Sequence, residues 1–181
     1  MTYRISQVVT KTGDQGQTGL ADGSRVRKNS LRIQVIGDVD ELNSLLGWVI
    51  SLQPPEAVSH VLLQIQHQLF AVGGELSLSS GEKVTGEAVA MLEEQIAAIN
   101  KKLPPLNGFI LPGGTVAAAQ LQVARSVCRR AERSLTALDE IEEVSPDLRC
   151  YMNRLSDLLF ILARETNQSA GCPERLFQQV S

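Results

Sequence analysis

Along most of this chain, apolar residues recur every three or four positions, which is the spacing of one buried face on an α-helix. From residue 38 to residue 170 the pattern separates into five runs, and prolines or glycines stand at most of the boundaries. The connections are short enough to join antiparallel neighbours. The pattern predicts a single all-α domain over residues 1–181, in which a five-helix antiparallel bundle (38–170) follows a polar, glycine-rich segment (1–37).

The predicted helix boundaries depend on capping residues. Asp38 and Glu41 have the spacing of a capping box, so the first helix is expected to begin at Asp38. A short extended piece from Leu31 to Ile36 is expected before it. Thr115 is the expected N-cap of the fourth helix, and Ser145, which a proline follows, is that of the fifth.

The fourth helix has the most regular apolar face. Many of its inward positions hold small side chains, which let a neighbouring helix approach closely, so this helix is expected to lie centrally in the bundle. The second helix carries Gly73 and Gly74, which indicate a close helix contact or a kink, since glycine costs about 1 kcal/mol there relative to alanine. The inward positions of the fourth helix are Ala117, Leu121, Ala124, Cys128, Ala131, Leu135 and Leu138.

The segment from Thr10 to Lys28 is rich in glycine and nearly free of apolar side chains, so it cannot form a core of its own. It is neither a P-loop nor a Rossmann fingerprint, because both glycine patterns are absent. It does combine hydroxyl groups and cations with glycines that free backbone N–H groups, which suits a triphosphate. The hydroxyls are those of Thr10, Thr12 and Thr18, and the cations are Lys11, Arg25, Arg27 and Lys28.

Charged residues of the fourth helix form a face beside its apolar one. Arg125, Arg129 and Glu132 are related by four and three residues and therefore share that face, whereas Arg130 points elsewhere. The face is either a solvated surface with weak ion pairs or a site for phosphate or a carboxylate, to which the planar guanidinium group is suited. The residues alone leave both interpretations open.

Polar residues also cluster in the middle of the fifth helix. Asn153, Ser156 and Asp157 share a face with Phe160, away from the apolar stripe of that helix. Asn, Ser and Asp are poor helix formers, so their position indicates either a binding role or a polar network between helices.

Composition narrows the range of partners and chemistries. A net charge of −3 and a pI near 5.4 argue against nucleic acid or an anionic membrane as a partner, and no apolar run reaches the about 18 residues that span a bilayer. The N-terminus lacks a secretory signal and the three cysteines lack CxxC pairing, so we expect a cytoplasmic protein with reduced cysteines in or near the core. The two histidines lack the partners that a zinc, di-iron or Ser/His/Asp site requires.

Six stretches follow one another within residues 10–165: TKTGDQGQTGL with RVRK, GDVDELNSLLG, HQLFAVGGEL, FILPGG, ARSVCRRAER and YMNRLSDLLF. In this order they resemble the PduO-type ATP:cob(I)alamin adenosyltransferases. One position differs from the expected pattern, because Gln68 stands where an acidic residue is expected. That difference bears on packing more than on chemistry.

The resemblance implies a five-helix bundle assembled as a homotrimer, with each active site between two subunits. It also implies transfer of the 5′-deoxyadenosyl group of ATP to the cobalt of cob(I)alamin, with Mg²⁺, to give adenosylcobalamin and triphosphate. Cob(I)alamin is itself the nucleophile in that reaction, which explains why no general base is evident. The protein then contributes positioning and charge neutralisation.

Positions within these stretches imply roles for individual residues. Arg125, Arg129, Asp40 and Phe109 are the expected catalytic set: Asp40 pairs with Arg125 across the subunit contact, and Phe109 covers the lower face of cobalamin and keeps its axial nitrogen ligand off cobalt. Ser156 and Asp157 are expected to support the cobalamin side. The residues expected to bind ATP are Thr10, Lys11, Thr12, Gly13, Asp14, Gly16, Thr18, Lys28, Arg129, Glu132, Arg133 and Asn153, with Glu132 also a ligand of Mg²⁺.

Two other functions fit the same polar faces. One is an ATP-gated cobalamin carrier or regulator with little turnover, and the other is a structural bundle whose polar faces mediate assembly. The intact set of Arg129, Glu132 and Asn153 favours the enzyme. A cobalamin reductase and an adenosylcobalamin-dependent enzyme are the further partners that such an activity implies.

Overall fold

The computed structural model describes residue 9 and residues 11–78 and 83–178. This part of the chain contains five helices and one antiparallel hairpin, which confirms the predicted all-α bundle. No helix within it is long and apolar enough to cross a membrane. The strands are β1 (Gln17–Gly19) and β2 (Arg25–Arg27), and the helices are α1 (Leu31–Ser51), α2 (Glu56–Ser77), α3 (Gly86–Asn100), α4 (Val116–Asp139) and α5 (Pro146–Ser169).

Helix α4 is the centre of the bundle, as its small-residue stripe predicts. It packs against both α5 and α1, while α2 covers α1 and α3 covers α5. Ala124, Cys128 and Ala131 are completely buried along this contact. Because these side chains are short, they let the neighbouring backbones approach closely, and the larger Leu121 and Leu135 fill the space on either side.

The predicted start of the first helix was wrong. Helix α1 begins at Leu31, so the piece expected to be extended is its first two turns. Asp38 is not a cap but a buried carboxylate within α1, where it accepts hydrogen bonds from Arg130 Nε (3.1 Å) and Ser134 Oγ (2.7 Å) of α4. An acidic residue at this position fits either a helix cap or an ion pair with another helix. The contacts with Arg130 and Ser134 show that Asp38 has the second role.

The starts of the fourth and fifth helices were predicted correctly. Thr115 Oγ1 accepts a hydrogen bond from the backbone N–H of Ala118, and Ser145 Oγ accepts one from Leu148, both at 3.2 Å. Each bond satisfies a backbone donor that has no partner within its own helix. The caps thereby set where the two helices that carry the polar faces begin.

The glycine-rich segment forms a structure that its sequence did not predict. Strands β1 and β2 enclose a turn in which Gly23 has a φ of 85°, a conformation that favours glycine. The backbone N–H of Ala21 donates to Ser77 O at 3.0 Å and so joins the hairpin to the end of α2. This polar segment is therefore ordered by backbone hydrogen bonds to itself and to the bundle.

The two glycines of α2 have no packing role in the described chain. A Cβ atom added to Gly73 or Gly74 meets no atom within 4 Å, so the described chain shows no close contact there, and the alternative of a kink stays a prediction. Gly114 is the opposite case. It has a φ of 106°, and an added Cβ overlaps the side-chain amide of Asn167.

Replacement of Gly114 by alanine is therefore expected to lower the free energy of unfolding by at least about 2 kcal/mol, through backbone strain and overlap with Asn167. The matched variant Gly73→Ala should be neutral or raise it by up to about 1 kcal/mol. Denaturant unfolding of both variants measures this. Equal stability of the two variants would contradict the assignment of Gly114 as a required glycine.

Candidate functional site

A row of hydrogen-bonded polar side chains connects α4, α5 and α3. Asn153 Nδ2 donates to Glu132 Oε1 at 2.9 Å, and Asn153 Oδ1 accepts from Arg154 Nη1 at 2.7 Å. Arg154 in turn binds Glu93 Oε1 through its Nε at 2.8 Å. Since the Asn153 oxygen receives the guanidinium donor, its amino group is directed at Glu132. The polar faces predicted on α4 and α5 are therefore joined by hydrogen bonds that fix the orientation of Asn153.

Arg129 lies on the same face, one turn before Glu132. Its side chain is exposed, and its backbone carbonyl accepts a hydrogen bond from Arg133 Nη1 at 3.0 Å. Glu132 is half-buried. An exposed guanidinium beside a carboxylate and an amide can bind an anion with two parallel hydrogen bonds while the carboxylate remains available for a cation.

Arg130 points away from this face, as predicted. It forms ion pairs with Asp38 and Glu41 of α1. Partial burial acts to lower the pKa of Arg130, but the hydrogen bonds and negative charges of the two carboxylates outweigh it and hold that pKa above its usual range. Arg130 therefore joins α1 to α4, and the adjacent Arg129 is left for the polar face.

Arg125 and Asp40 are not partners within one chain. Arg125 Nε donates to Gln122 Oε1 on the same helix at 2.8 Å, and Asp40 is exposed on α1. Because Gln122 is buried, its side-chain oxygen is a fixed acceptor that orients the guanidinium of Arg125. A contact between Arg125 and Asp40 of different subunits stays a prediction.

The glycine-rich segment brings Lys28 against Gly13. The position of an added Cβ on Gly13 lies 3.0 Å from Lys28 Nζ, and the backbone N–H of Lys28 donates to Gly16 O at 2.9 Å. Arg25 Nη2 donates to the backbone oxygen of Thr12 at 2.7 Å and so folds over the same turn. The ammonium group therefore lies beside a turn in which Gly16 has a φ of 79°.

The other predicted residues of this segment are placed as follows. Lys11, Thr12 and Asp14 are exposed, and Thr18 is half-buried in β1. Thr10 lies outside the described residues. The hairpin bonds to α2, whereas the Glu132–Asn153 pair lies between α4 and α5, so the two halves of the predicted site belong to different parts of the bundle.

The residues predicted to face cobalamin differ in accessibility. Phe109, in the loop between α3 and α4, is 86% exposed, and Asp157 is exposed on α5. Ser156 is 2% exposed, and its hydroxyl donates to the Asn153 backbone oxygen at 2.9 Å. Ser156 is thus turned into the helix, where it supports Asn153.

Comparisons with known proteins bear on the family of this chain. A family model described as cobalamin adenosyltransferase matches residues 8–166. This chain belongs to the cobalamin adenosyltransferase family. A cobalamin adenosyltransferase of Cupriavidus metallidurans is 51% identical and aligns over 99% of this chain and 98% of its own. A corrinoid adenosyltransferase of Bacillus subtilis is 45% identical over 91% of this chain and 89% of its own.

Solved structures of the family have the same fold. A variant of the PduO-type ATP:corrinoid adenosyltransferase of Lactobacillus reuteri, complexed with cobalamin and ATP, is similar at a TM-score of 0.90 and 36% identity. The similarity covers 96% of this chain and 100% of that one. The resemblance found in the six sequence stretches is thereby confirmed as family membership.

Glu132 is the residue of this adenosyltransferase chain that could bind Mg²⁺. No group of three or more His, Cys, Asp or Glu side chains in the described residues could hold a metal. Mg²⁺ in nucleotide sites commonly takes one or two carboxylates and completes its octahedron with phosphate oxygens and water. Glu132, a single half-buried carboxylate beside Arg129, fits that mode.

Several residues of this network were not predicted from the sequence. Gln122, Arg154 and Glu93 hold Arg125 and Asn153 in place, yet only the spacing of Gln122 and Arg125, three residues apart, is a local signal. Glu93 lies on another helix, so no local pattern connects it to Arg154. Residues that orient a site from a neighbouring element become visible only in the folded chain.

The cysteines correct one prediction. Cys128 is buried, but Cys150 is exposed on α5 and Cys172 is partly exposed, so the expectation that all three lie in or near the core was wrong. The Cys128 thiol donates to Met152 O at 3.4 Å. Burial raises the pKa of Cys128 far above its ordinary value, the Glu132 carboxylate adds to this, and Arg129 opposes it.

A thiol reagent near neutral pH is therefore expected to modify Cys150 and to leave Cys128 unmodified until the protein unfolds, because the thiolate is the reactive form. Mass spectrometry of peptides from native and denatured samples measures this. A Cys150→Ser variant should lose the fast-reacting site. Labelling of Cys128 at the rate of Cys150 in the native protein would contradict the buried, protonated state.

Proposed function

We propose that this chain is an ATP:corrinoid adenosyltransferase that transfers the 5′-deoxyadenosyl group of ATP to the cobalt of cob(I)alamin and releases triphosphate. The observation that carries the proposal is the Arg129–Glu132–Asn153 face, on a fold shared with an enzyme that has been captured with cobalamin and ATP. Carbon C5′ of ATP is the electrophile, the C5′–O bond breaks, and both electrons of the new Co–C bond come from cobalt.

This reaction does not require the protein to supply a general base. The nucleophile is already an electron-rich metal centre, so no proton has to be removed from it. Catalysis then comes from holding C5′ in line with cobalt and from stabilising charge on the departing triphosphate.

The helical side of the ATP site consists of Arg129, Glu132, Asn153 and Arg133. Arg129 has an exposed planar guanidinium suited to phosphate oxygens. Glu132 and Asn153 are held together at 2.9 Å, and the carboxylate would bind Mg²⁺, which neutralises phosphate charge. The fixed amide of Asn153 offers a rigid polar group to the nucleotide.

The hairpin side consists of Lys28 and the turn around Gly13 and Gly16. Lys28 Nζ lies 3.0 Å from the position of an added Cβ on Gly13, so an ammonium group is held at this glycine turn, which suits a triphosphate. The remaining residues proposed for this side are Thr10, Lys11, Thr12, Asp14 and Thr18. The hairpin of one subunit would close over ATP bound on the α4–α5 face of another.

The corrinoid side is assigned to Phe109, with Asp157 as a neighbouring polar group and Ser156 acting through Asn153. A phenylalanine that is 86% exposed leaves most of its apolar surface in water, which is unfavourable unless a partner covers it. A flat, largely apolar corrin ring is such a partner. Contact with the lower face would exclude the axial nitrogen ligand from cobalt.

Anaerobic incubation with ATP and reduced cobalamin tests the proposal. The cob(I)alamin absorption spectrum should convert to that of adenosylcobalamin. Arg129→Ala should lower kcat/KM by about 100-fold or more, the scale of a lost charge-stabilising donor. It should change the free energy of unfolding by less than about 0.5 kcal/mol, since the side chain is exposed.

Arg149→Ala is the matched control, because Arg149 is a surface arginine of α5 that pairs with Asp139. Its turnover should stay within about twofold of the unmodified protein. If the unmodified protein binds ATP and cobalamin but forms no adenosylcobalamin, the carrier or regulator is the correct function. Unmodified kinetics in Arg129→Ala would remove that residue from the site.

We further propose that the enzyme is a homotrimer with its sites between subunits. The two halves of the site lie on different parts of one chain, and large apolar side chains face outward on α1, α2 and α4. These are Trp48, Leu63, Phe70, Val116 and Val123, each between 47% and 77% exposed. A cytoplasmic location, a cobalamin reductase and an adenosylcobalamin-dependent acceptor remain predictions from the sequence.

Analytical ultracentrifugation should give a mass three times that of one chain. Asp40→Arg should weaken the trimer through repulsion from Arg125 of the adjacent subunit, and the double variant Asp40→Arg/Arg125→Asp should restore it. A trimer that is unaffected by Asp40→Arg would contradict this ion pair. A monomer at all concentrations would contradict the intersubunit site.

A further inference from the structure

The chain that follows α5 runs antiparallel to the loop that carries Phe109. The backbone N–H of Leu111 donates to Arg175 O at 2.8 Å, and that of Phe177 donates to Phe109 O at 2.7 Å. Between these bonds, Ile110 and Leu176 form an isolated β-bridge. We name residues 172–177 the strap. It holds the backbone of Phe109 itself, not merely a neighbouring residue.

A buried arginine fastens this strap to the bundle. Arg164 of α5 is 2% exposed, and its Nε and Nη2 bind the two carboxylate oxygens of Glu174 at 2.7 and 3.1 Å. Arg164 Nη2 also donates to Pro104 O at 2.8 Å. A buried guanidinium is costly unless its charge and donors are satisfied, so Glu174 is strongly held in this geometry.

The other end of the Phe109 loop is held from the same helix. One turn beyond Arg164, Asn167 Oδ1 accepts from the backbone N–H of Thr115 at 2.9 Å, and its Nδ2 donates to Gly113 O at 3.0 Å. The strap begins at this point, because the N–H of Cys172 donates to Asn167 O at 2.9 Å. The loop therefore has fixed points at Pro104, at the backbone oxygen of Phe109, at Leu111 and at its entry into α4.

The Phe109 side chain cannot fix its own direction. It is 86% exposed, so packing contributes little to its orientation, and its backbone must determine where the ring lies. The fixed points on that backbone are made by the strap, and the strap is fastened by Arg164 and Glu174. We name the Arg164–Glu174 ion pair the clamp. It acts on the ring indirectly, because it holds the strap and the strap holds the backbone of Phe109.

We propose that Arg164 and Glu174 are positioning residues for Phe109, and that their ion pair sets the position of the ring against the corrinoid. The inference rests on the proposed function. It predicts a selective defect when the clamp is loosened, because the Glu132–Asn153 face and the hairpin make no use of the strap. A clamp that serves only stability would lower the melting temperature without separating the two substrates.

Glu174→Gln is the test variant, since it keeps the size of the side chain and removes its charge. At saturating ATP, KM for cob(I)alamin should rise and kcat fall, with a combined loss of about tenfold or more, as expected for a displaced contact group. KM for ATP should stay within about twofold. The enzyme-bound cobalamin spectrum should also show less of the form without its axial nitrogen ligand.

Glu165→Gln is the matched control, because it makes the same chemical change next to Arg164 but outside the clamp. Phe109→Ala removes the ring and therefore gives the upper limit for the change in KM for cob(I)alamin and in kcat. If Glu174→Gln and Glu165→Gln agree in both KM values, in kcat and in the spectrum, the proposal is wrong. An equal loss of affinity for ATP and corrinoid would also overturn it.

Hydrogen exchange gives a readout that does not depend on activity. In Glu174→Gln the amides of Leu111 and Phe177 should exchange faster, whereas those of the buried centre of α4, such as Leu121, should not change. Unchanged exchange at Leu111 and Phe177 would overturn the strap even in an active enzyme. If exchange is faster in Glu174→Gln but the unmodified protein transfers no adenosyl group, the strap is correct and the proposed function is wrong.

Discussion

The close packing of α4 between α1 and α5 is the constraint on which the rest of the structure depends. Short side chains at Ala124, Cys128 and Ala131 are completely buried there, so both neighbours approach the α4 backbone. At these three positions of α4 there is no space for a long charged side chain. The charged residues of α4 therefore lie on its flanks, with Arg130 toward α1 and Arg129 and Glu132 beside α5.

The two flanks have different consequences. On the α1 side, Arg130 is paired with Asp38 and Glu41, so its charge is used to hold two helices together. On the α5 side, Arg129 remains exposed and Glu132 is bound to Asn153, so charge and polarity remain available to a ligand. Adjacent arginines in one helix thus have separate roles, because successive residues lie about 100° apart around the helix axis.

The proposed site is divided between subunits for a physical reason. A triphosphate needs cations and N–H groups on several sides, but one face of a rigid bundle presents them on one side only. In the proposed site the hairpin would supply the other side, and within one chain its Ala21 N–H is bonded to the end of α2. The proposed assembly of identical subunits would solve this, since each chain would then provide both halves to different neighbours.

The sequence by itself determined the number of helices, the central place of α4, the caps at Thr115 and Ser145 and the face that carries Arg129, Glu132 and Asn153. All of these follow from local spacing, because helix periodicity and capping act within a few residues. The tertiary structure alone decided that Asp38 is a buried ion-pair partner, that the glycine-rich segment is a hairpin and that Arg164 binds Glu174. Those outcomes depend on groups brought together from distant positions, and spacing along the chain carries no information about such distances.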